Sequence, residues 1–357
     1  MKKLFIAVCA LALMAGAVSC KKDKIEEEPN NPPALVTENL SEGIYQPAEK
    51  IASINIGDSI NEEWTWGAKN LDRVITNGDE AHPLTFSYDG DFVTEVSVDG
   101  EKWCYSYSNN KLSKGVLKID NNQVVEIVFS HNDDGKINSA NLKIDTTFLM
   151  ELLMGMIGGG EFPFANVLSR STIESLAQMV KISAAVSNNP KFSMGSLDLG
   201  LNIVWNGDNV KDVVLNAGMV INIDTNDLNT IERSGSIPEE FSTYISMARF
   251  AMAFTGGAVP LELALNDTMS YTYDNNRNPF YCYLGNGLDP KAFSYNNVLS
   301  EDNHGAMTVS VTFLPQQTLE LFNNPINESM TYNYVYNAKG YPTECISDIT
   351  TTYTYKE

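Results

Sequence analysis

The sequence predicts a mainly β protein: a large antiparallel up-and-down β-barrel, or a strongly curled meander, with a few inserted helices. Three observations lead there. From residue 84 onward, short segments alternate apolar and polar residues with a period of two, as half-buried strands do. The breaks between them are brief and of Asx-Gly or Asx-Asx type, among them Asp89-Gly90, Asp99-Gly100 and Asn109-Asn110, and such residues tolerate the positive φ angles of tight hairpins. Connections this short join antiparallel neighbours, because a parallel pair needs a long crossover. A sheet of about fourteen such strands must curl, split or close on itself, and closure removes its edges.

The elements justify this reading in order. Lys2 and Lys3 precede an unbroken apolar run from Leu4 to Met14, too short to span a bilayer and of signal-peptide length. Small residues follow and end Ala17-Val18-Ser19-Cys20, which resembles the lipobox of bacterial lipoproteins. The resemblance implies that residues 1–19 are a lipoprotein signal peptide and that Cys20 is the lipid attachment site. The mature protein would then be held at a membrane by acyl chains. Residues 20–35 read as an acylated flexible tether, charged and then Asn/Pro-rich, unable to bury enough surface to fold. Lys21 stands where an aspartate would mark inner-membrane retention in some bacteria, so the outer membrane is expected, with the protein facing either the periplasm or the cell surface.

Residues 36–357 read as a single β-rich domain, since no Pro- or Ser-rich linker divides them. Early strands are expected at Lys50 to Ile56, Trp64 to Trp66 and Leu71 to Thr76, followed by six between Thr85 and Ile144 with a turn at Asn121-Asn122 among them. Later ones are expected at Asn202 to Trp205, Val210 to Ile223, Thr268 to Tyr273 before a turn at Asp274-Asn275-Asn276, Met307 to Leu314, Thr331 to Tyr336 and Thr350 to Tyr355. Helical insertions are expected near 146–187 and 236–256. Thr146 to Ile157 is almost wholly apolar and stops at three glycines. Ser171-Thr172-Ile173-Glu174 and Ser236-Ile237-Pro238-Glu239 are capping boxes. About eight strands give a barrel that its own side chains just fill, so a wider one needs another filling. The helical segments are expected to supply it, packing Phe148, Leu152, Met156, Ile173, Leu176 and Val180 against the concave face.

Two stretches carry a family resemblance. Asp274-Asn275-Asn276-Arg277-Asn278-Pro279-Phe280, and later Tyr332 to Thr343 with its Asn337-Ala338-Lys339-Gly340-Tyr341-Pro342 turn, resemble segments of Bacteroidetes lipoproteins with a porin-like β fold. Tyr45-Gln46-Pro47, Lys50-Ile51, Trp64-Thr65-Trp66 and Leu71 are similar to the start of that fold. The resemblance implies a β fold and an envelope address, and it brings no catalytic residues.

Charge and motif content narrow the function. Lys plus Arg number 24 against 45 Asp plus Glu, a net charge of −21, which disfavours nucleic acid as a partner. The three histidines, His82, His131 and His304, are far apart, and the Asp274 cluster has Pro279 where an EF-hand needs glycine, so no metal or other cofactor is expected. Hydrolase signatures such as G-x-S-x-G and H-E-x-x-H are absent from the sequence, and no enzyme activity is expected. Cys104, Cys282 and Cys345 form no even disulfide framework; one pair among them, or buried free thiols, are the two readings. Candidate ligand-binding residues are Trp64 and Trp66 on one strand face, Trp103 and Tyr105 on another, and the greasy, methionine-rich stretch holding Phe148, Leu152 and Met156. The aromatic pairs suit a glycan or a cross-strand ladder; the apolar stretch suits an apolar ligand or the core. The expected function is a lipid-anchored, non-enzymatic binding protein for an apolar ligand or a glycan; the alternative is a structural or accessory subunit docked on an outer-membrane protein partner.

Overall fold

Strand after strand pairs with its successor until the last returns to the first. The computed structural model describes residues 42–145, 194–223, 249–250, 252–253, 259–285, 289–311 and 324–357. Its 17 strands form one sheet. They are β1 (Ile51–Ile56), β2 (Ile60–Trp66), β3 (Leu71–Thr76), β4 (Leu84–Asp89), β5 (Phe92–Val98), β6 (Glu101–Ser108), β7 (Lys111–Ile119), β8 (Asn122–His131), β9 (Ile137–Ile144), β10 (Met194–Asn206), β11 (Asn209–Ile223), β12 (Val259–Arg277), β13 (Asn296–Val311), β14 (Asn324–Thr331), β15 (Asn333–Tyr336), β16 (Pro342–Ile346) and β17 (Thr350–Tyr355). Neighbours pair antiparallel from β1 through β14 and from β15 through β17. β17 then pairs with β1, Ile54 opposite Tyr353, so that the sheet nearly closes into a barrel. The seam lies at Tyr332, which alone separates β14 from β15. There the path passes from β13 to β16, and the Tyr332 amide donates to the Leu299 carbonyl at 2.8 Å.

The turns do what their residues allow. Asn109 and Asn110 take φ 52° and 61°, the left-handed pair of a two-residue hairpin. The next such turn falls on Asp120-Asn121, one residue earlier than expected, because Asn122 already pairs with Ile119. The expected turn at Asp274-Asn275-Asn276 is instead part of β12, where the register with β13 slips between Tyr273 and Arg277.

The expected signal peptide, Cys20, the tether, and the segment holding Phe148, Leu152, Met156, Ile173, Leu176 and Val180 lie outside the described residues. Of the stretch 236–256, residues 249–250 and 252–253 are described as helical; Met252 is buried in the core and Phe250 is exposed.

Inward and outward faces differ sharply in chemistry. Inward positions such as Ile54, Val74, Val96, Leu117, Ile127, Leu201, Leu215 and Leu265 are buried in one apolar cluster. Outward positions carry a polar ladder. Ser53 meets Thr354, Thr85 meets Ser97, Ser270 meets Asp212, Thr272 meets Ser300 and Ser329 meets Asp302. Lys102 and Glu95, and Lys114 and Glu126, add ion pairs. A membrane-spanning barrel has the reverse arrangement, an apolar band about 25 Å tall outside and polar groups within.

Two segments enter the barrel interior. Successive antiparallel strands put residues 42–50 and 278–295 at the same rim, here the near rim. Ile44 and Tyr45 are buried there, and Gly43 accepts a hydrogen bond from the Val93 amide through its carbonyl. The β12–β13 connection folds inward as a plug that buries Cys282, Tyr283 and Leu284. Tyr45 donates to the Pro279 carbonyl at 2.7 Å, and Tyr105 donates to the Leu284 carbonyl at 2.9 Å, so the wall and both segments are stitched together.

Candidate binding site

The plug is held by asparagine and aspartate. Asn278 Nδ2 donates to the carbonyls of Lys291 at 3.0 Å and Ser294 at 2.9 Å, while its Oδ1 accepts from the Phe280 amide at 2.9 Å. Asp289 caps a 3-10 turn, Pro290–Phe293, by accepting from the Lys291 amide at 2.9 Å. Asp274 accepts from the amides of Asn276 and Asn297, from Asn297 Nδ2 and from the Tyr336 hydroxyl. The Arg277 amide donates to the Gly340 carbonyl at 3.0 Å. The two stretches that carry the family resemblance are therefore joined in space, and their polar residues build the plug and its seat.

Above this staple lies an aromatic cluster. Tyr283 packs on Tyr45 and Trp64 with ring centroids 5.0 and 5.1 Å away, and Phe280 packs on Trp64 and Tyr353 at 6.2 and 6.1 Å. Trp64 stacks beside Trp66 at 6.5 Å, and the Trp66 indole donates to the Ile51 carbonyl at 2.7 Å. Trp103 and Tyr105 stack at 6.2 Å with nearly parallel rings. Trp64, Trp66 and Tyr105 are buried and Trp103 is half-buried, so these four sequence candidates face the barrel interior and have protein against their rings. The structure brings Trp64 to the plug directly, sets Trp66 against Tyr45 and Trp64, and links Tyr105 to the plug by hydrogen bond. Phe148, Leu152 and Met156 are outside the described residues.

Sequence reasoning passed over the polar members of this interior. Glu62 on β2 is 2% exposed. The Trp64 indole donates to its Oε2 at 3.0 Å, and its Oε1 has no hydrogen-bond partner among the described residues. Burial pushes this carboxyl up to about 7, against the smaller downward pull of the Trp64 hydrogen bond. Glu62, Ile54 and Tyr353 stand in one row across β2, β1 and β17. Tyr353 is 6% exposed, and its hydroxyl makes no hydrogen bond among the described residues. Burial raises that phenol far above its ordinary range, and Tyr355, Glu62 and Tyr332 are among the charges that add to the shift.

Beside Tyr353 the plug leaves a cavity of about 60 Å³. Phe280, Val298, Tyr332, Tyr334 and Pro342 form its apolar walls; Asn278, Asn297, Asp289 and Lys291 bring polar groups to it. Lys291 Nζ pairs with Glu301 Oε2 at 3.3 Å. Burial works against the Lys291 charge, but Glu301 and Asp289 outweigh it and hold the ammonium well above its ordinary range. Burial also raises Asp289, with Lys291 opposing. The arrangement suits recognition: apolar walls with a few converging polar groups. A signal for the plug was present in the sequence, because Pro279-Phe280-Tyr281-Cys282-Tyr283-Leu284 is too apolar for an exposed loop.

Other sequence candidates are dispersed. His82 lies against Asp79, His131 against Glu42 and His304 against Asn327, each at a different part of the wall. Cys104, Cys282 and Cys345 are free thiols, the first half-buried and the other two buried.

Among solved structures, the chain is similar to a porin-like protein from Bacteroides uniformis, at 8% identity and a TM-score of 0.29, over 87% of this chain and 99% of that one. It is also similar to a porin-like protein from Bacteroides vulgatus, at 9% identity and a TM-score of 0.28, over 86% of this chain and 99% of that one. No protein-family profile and no curated protein matches the chain. The architecture rests on its own strand pairings.

Proposed function

We propose that this chain is a lipid-anchored envelope protein of the outer membrane that binds a glycan at the near rim of its barrel, without catalysing a reaction. The observation that carries the reading is the near-rim cavity, where aromatic and proline walls meet polar groups on a plug held by side-chain hydrogen bonds. Its volume of about 60 Å³ is far below the roughly 300–1,000 Å³ of a pocket that engulfs a whole small molecule, so it takes a branch of a larger ligand presented from outside. The polar outer wall supports anchoring by acyl chains on Cys20 over anchoring by the strands themselves. Residues 42–50, which precede β1, lie at the near rim, on the side of the cavity.

Glycan-array binding by the detergent-solubilised full chain tests the binding half of this reading. Retention of at least one glycan class is expected, and a blank array contradicts it. Metabolic labelling with a radioactive fatty acid tests the other half: label is expected in the wild type and not in Cys20→Ala. Equal labelling of the two would remove Cys20 as the anchor.

A further inference from the structure

We propose that the cavity beside the plug is a subsite for the acetamido group of an N-acetylated amino sugar. This inference rests on the glycan-binding reading above and names the chemical feature that is recognised. Size comes first. A water molecule needs roughly 10–15 Å³ of cavity space, so a cavity of about 60 Å³ has the room of roughly four to six waters. A sugar ring does not fit that space, whereas a substituent of a few heavy atoms does.

The lining then selects the substituent. Phe280, Val298 and Pro342 offer apolar contact suited to a methyl group. Among the described residues, three donor groups of the lining keep a hydrogen to spare: the Tyr353 hydroxyl makes no hydrogen bond, Lys291 Nζ spends one of its three donors on Glu301, and Asn297 Nδ2 spends one of its two on Asp274. All three seek an acceptor oxygen. Charge decides what kind. Lys291 already faces Glu301 and Asp289, so an incoming carboxylate meets two acidic groups for one ammonium, and an incoming cation meets the ammonium itself. A neutral carbonyl carrying a methyl group satisfies all three conditions. The acetamido group of an amino sugar is such a unit, with the sugar ring left at the rim.

The test is saturation-transfer NMR on the detergent-solubilised full chain with three probes: triacetylchitotriose, its deacetylated glucosamine trimer, and cellotriose. The acetylated trimer is expected to bind most tightly, with the strongest transfer at an acetyl methyl. Tyr353→Phe keeps the ring and removes the donor. It should weaken binding of the acetylated trimer about five- to tenfold, the scale of one hydrogen bond, and leave the melting temperature unchanged. The methyl signal is read on the wild-type chain and so does not depend on how the variant folds. Equal binding of the three trimers, or transfer centred on ring protons, overturns the acetamido subsite and leaves the glycan reading standing. Binding by none of the three overturns the subsite, while the glycan array independently decides the broader reading.

Discussion

Glu62 holds a proton in the folded barrel that it gives up readily once the chain unfolds. Its carboxyl titrates at about 7 in the fold and near the ordinary 4.5 when unfolded. Between those values the folded state binds more protons, so stability falls as the pH rises. The contribution is fully present below about 4.5 and lost above about 7, and a shift of that size corresponds to roughly 3 kcal/mol. Glu101, also raised to about 7 by burial and by Asp99 and Asp120, acts in the same direction. Melting temperatures at pH 5.5 and pH 8 should therefore differ, with the lower value at pH 8. Glu62→Gln should raise the pH 8 value and narrow the gap; a variant with the wild-type gap would show that Glu62 is not the buried titrating group. The cysteines give a second residue-scale expectation. Burial pushes the Cys345 thiol up to about 11, so it stays protonated at neutral pH, and Cys282 is buried in the plug. A maleimide should label Cys104 in the native protein and reach Cys282 and Cys345 only after denaturation. Native labelling of all three would mean that the plug opens freely.

At the scale of elements, the plug is the part of the fold that sequence patterning described least well. Period-two alternation marked β4 to β9 almost residue by residue, because each of those strands has a wet face and a buried one. It did not mark the first half of β13, where Ser300, Glu301, Asp302, Asn303 and His304 run polar on both faces, nor β14, which begins Asn324-Pro325. There the inward face is itself polar: Asn303 is fully buried, so alternation disappears although the pairing with β12 is regular. The plug was missed for a related reason. The apolar run Pro279 to Leu284 signals burial, but the strand pattern ends at the turn expected at Asp274-Asn275-Asn276, and the inward path beyond it is set by long-range bonds from Tyr45 and Tyr105. Trp64, Trp66, Trp103 and Tyr105 were legible as an aromatic face; the buried carboxyl of Glu62 and the phenol of Tyr353 were not, because their burial is decided by the pairing of β17 with β1. Tyr283 makes the plug's closest aromatic contacts. Tyr283→Ala should cost about 3–5 kcal/mol, comparable to removing another large aromatic from a core. Asn278→Ala, which leaves two carbonyls and an amide without their partner, should cost about 1–3 kcal/mol. Urea melts of both variants check this; wild-type midpoints would mean that the plug contributes nothing to the stability of the wall.

The described residues form a nearly closed sheet with its chemistry turned inward. Seventeen strands would enclose a wide lumen if the wall were circular and the loops stayed outside. Here the segment before β1 and the β12–β13 plug occupy the near end, and apolar side chains from around the ring meet in one cluster. Among the described residues the outer wall carries Ser, Thr, Asn and paired charges, with Val128, Val204, Val335 and Ile346 exposed among them. The proposed acyl anchor on Cys20 requires that such a barrel be solvated on its outside. The most direct measurement is made on the chain lacking residues 1–20, kept in buffer without detergent and followed by sedimentation velocity and far-UV circular dichroism. The polar wall predicts a soluble species with a β spectrum and a cooperative thermal transition. A chain that aggregates in buffer and gains its β spectrum only in detergent micelles or lipid bilayers would contradict the account, because its outer face would then be built for lipid.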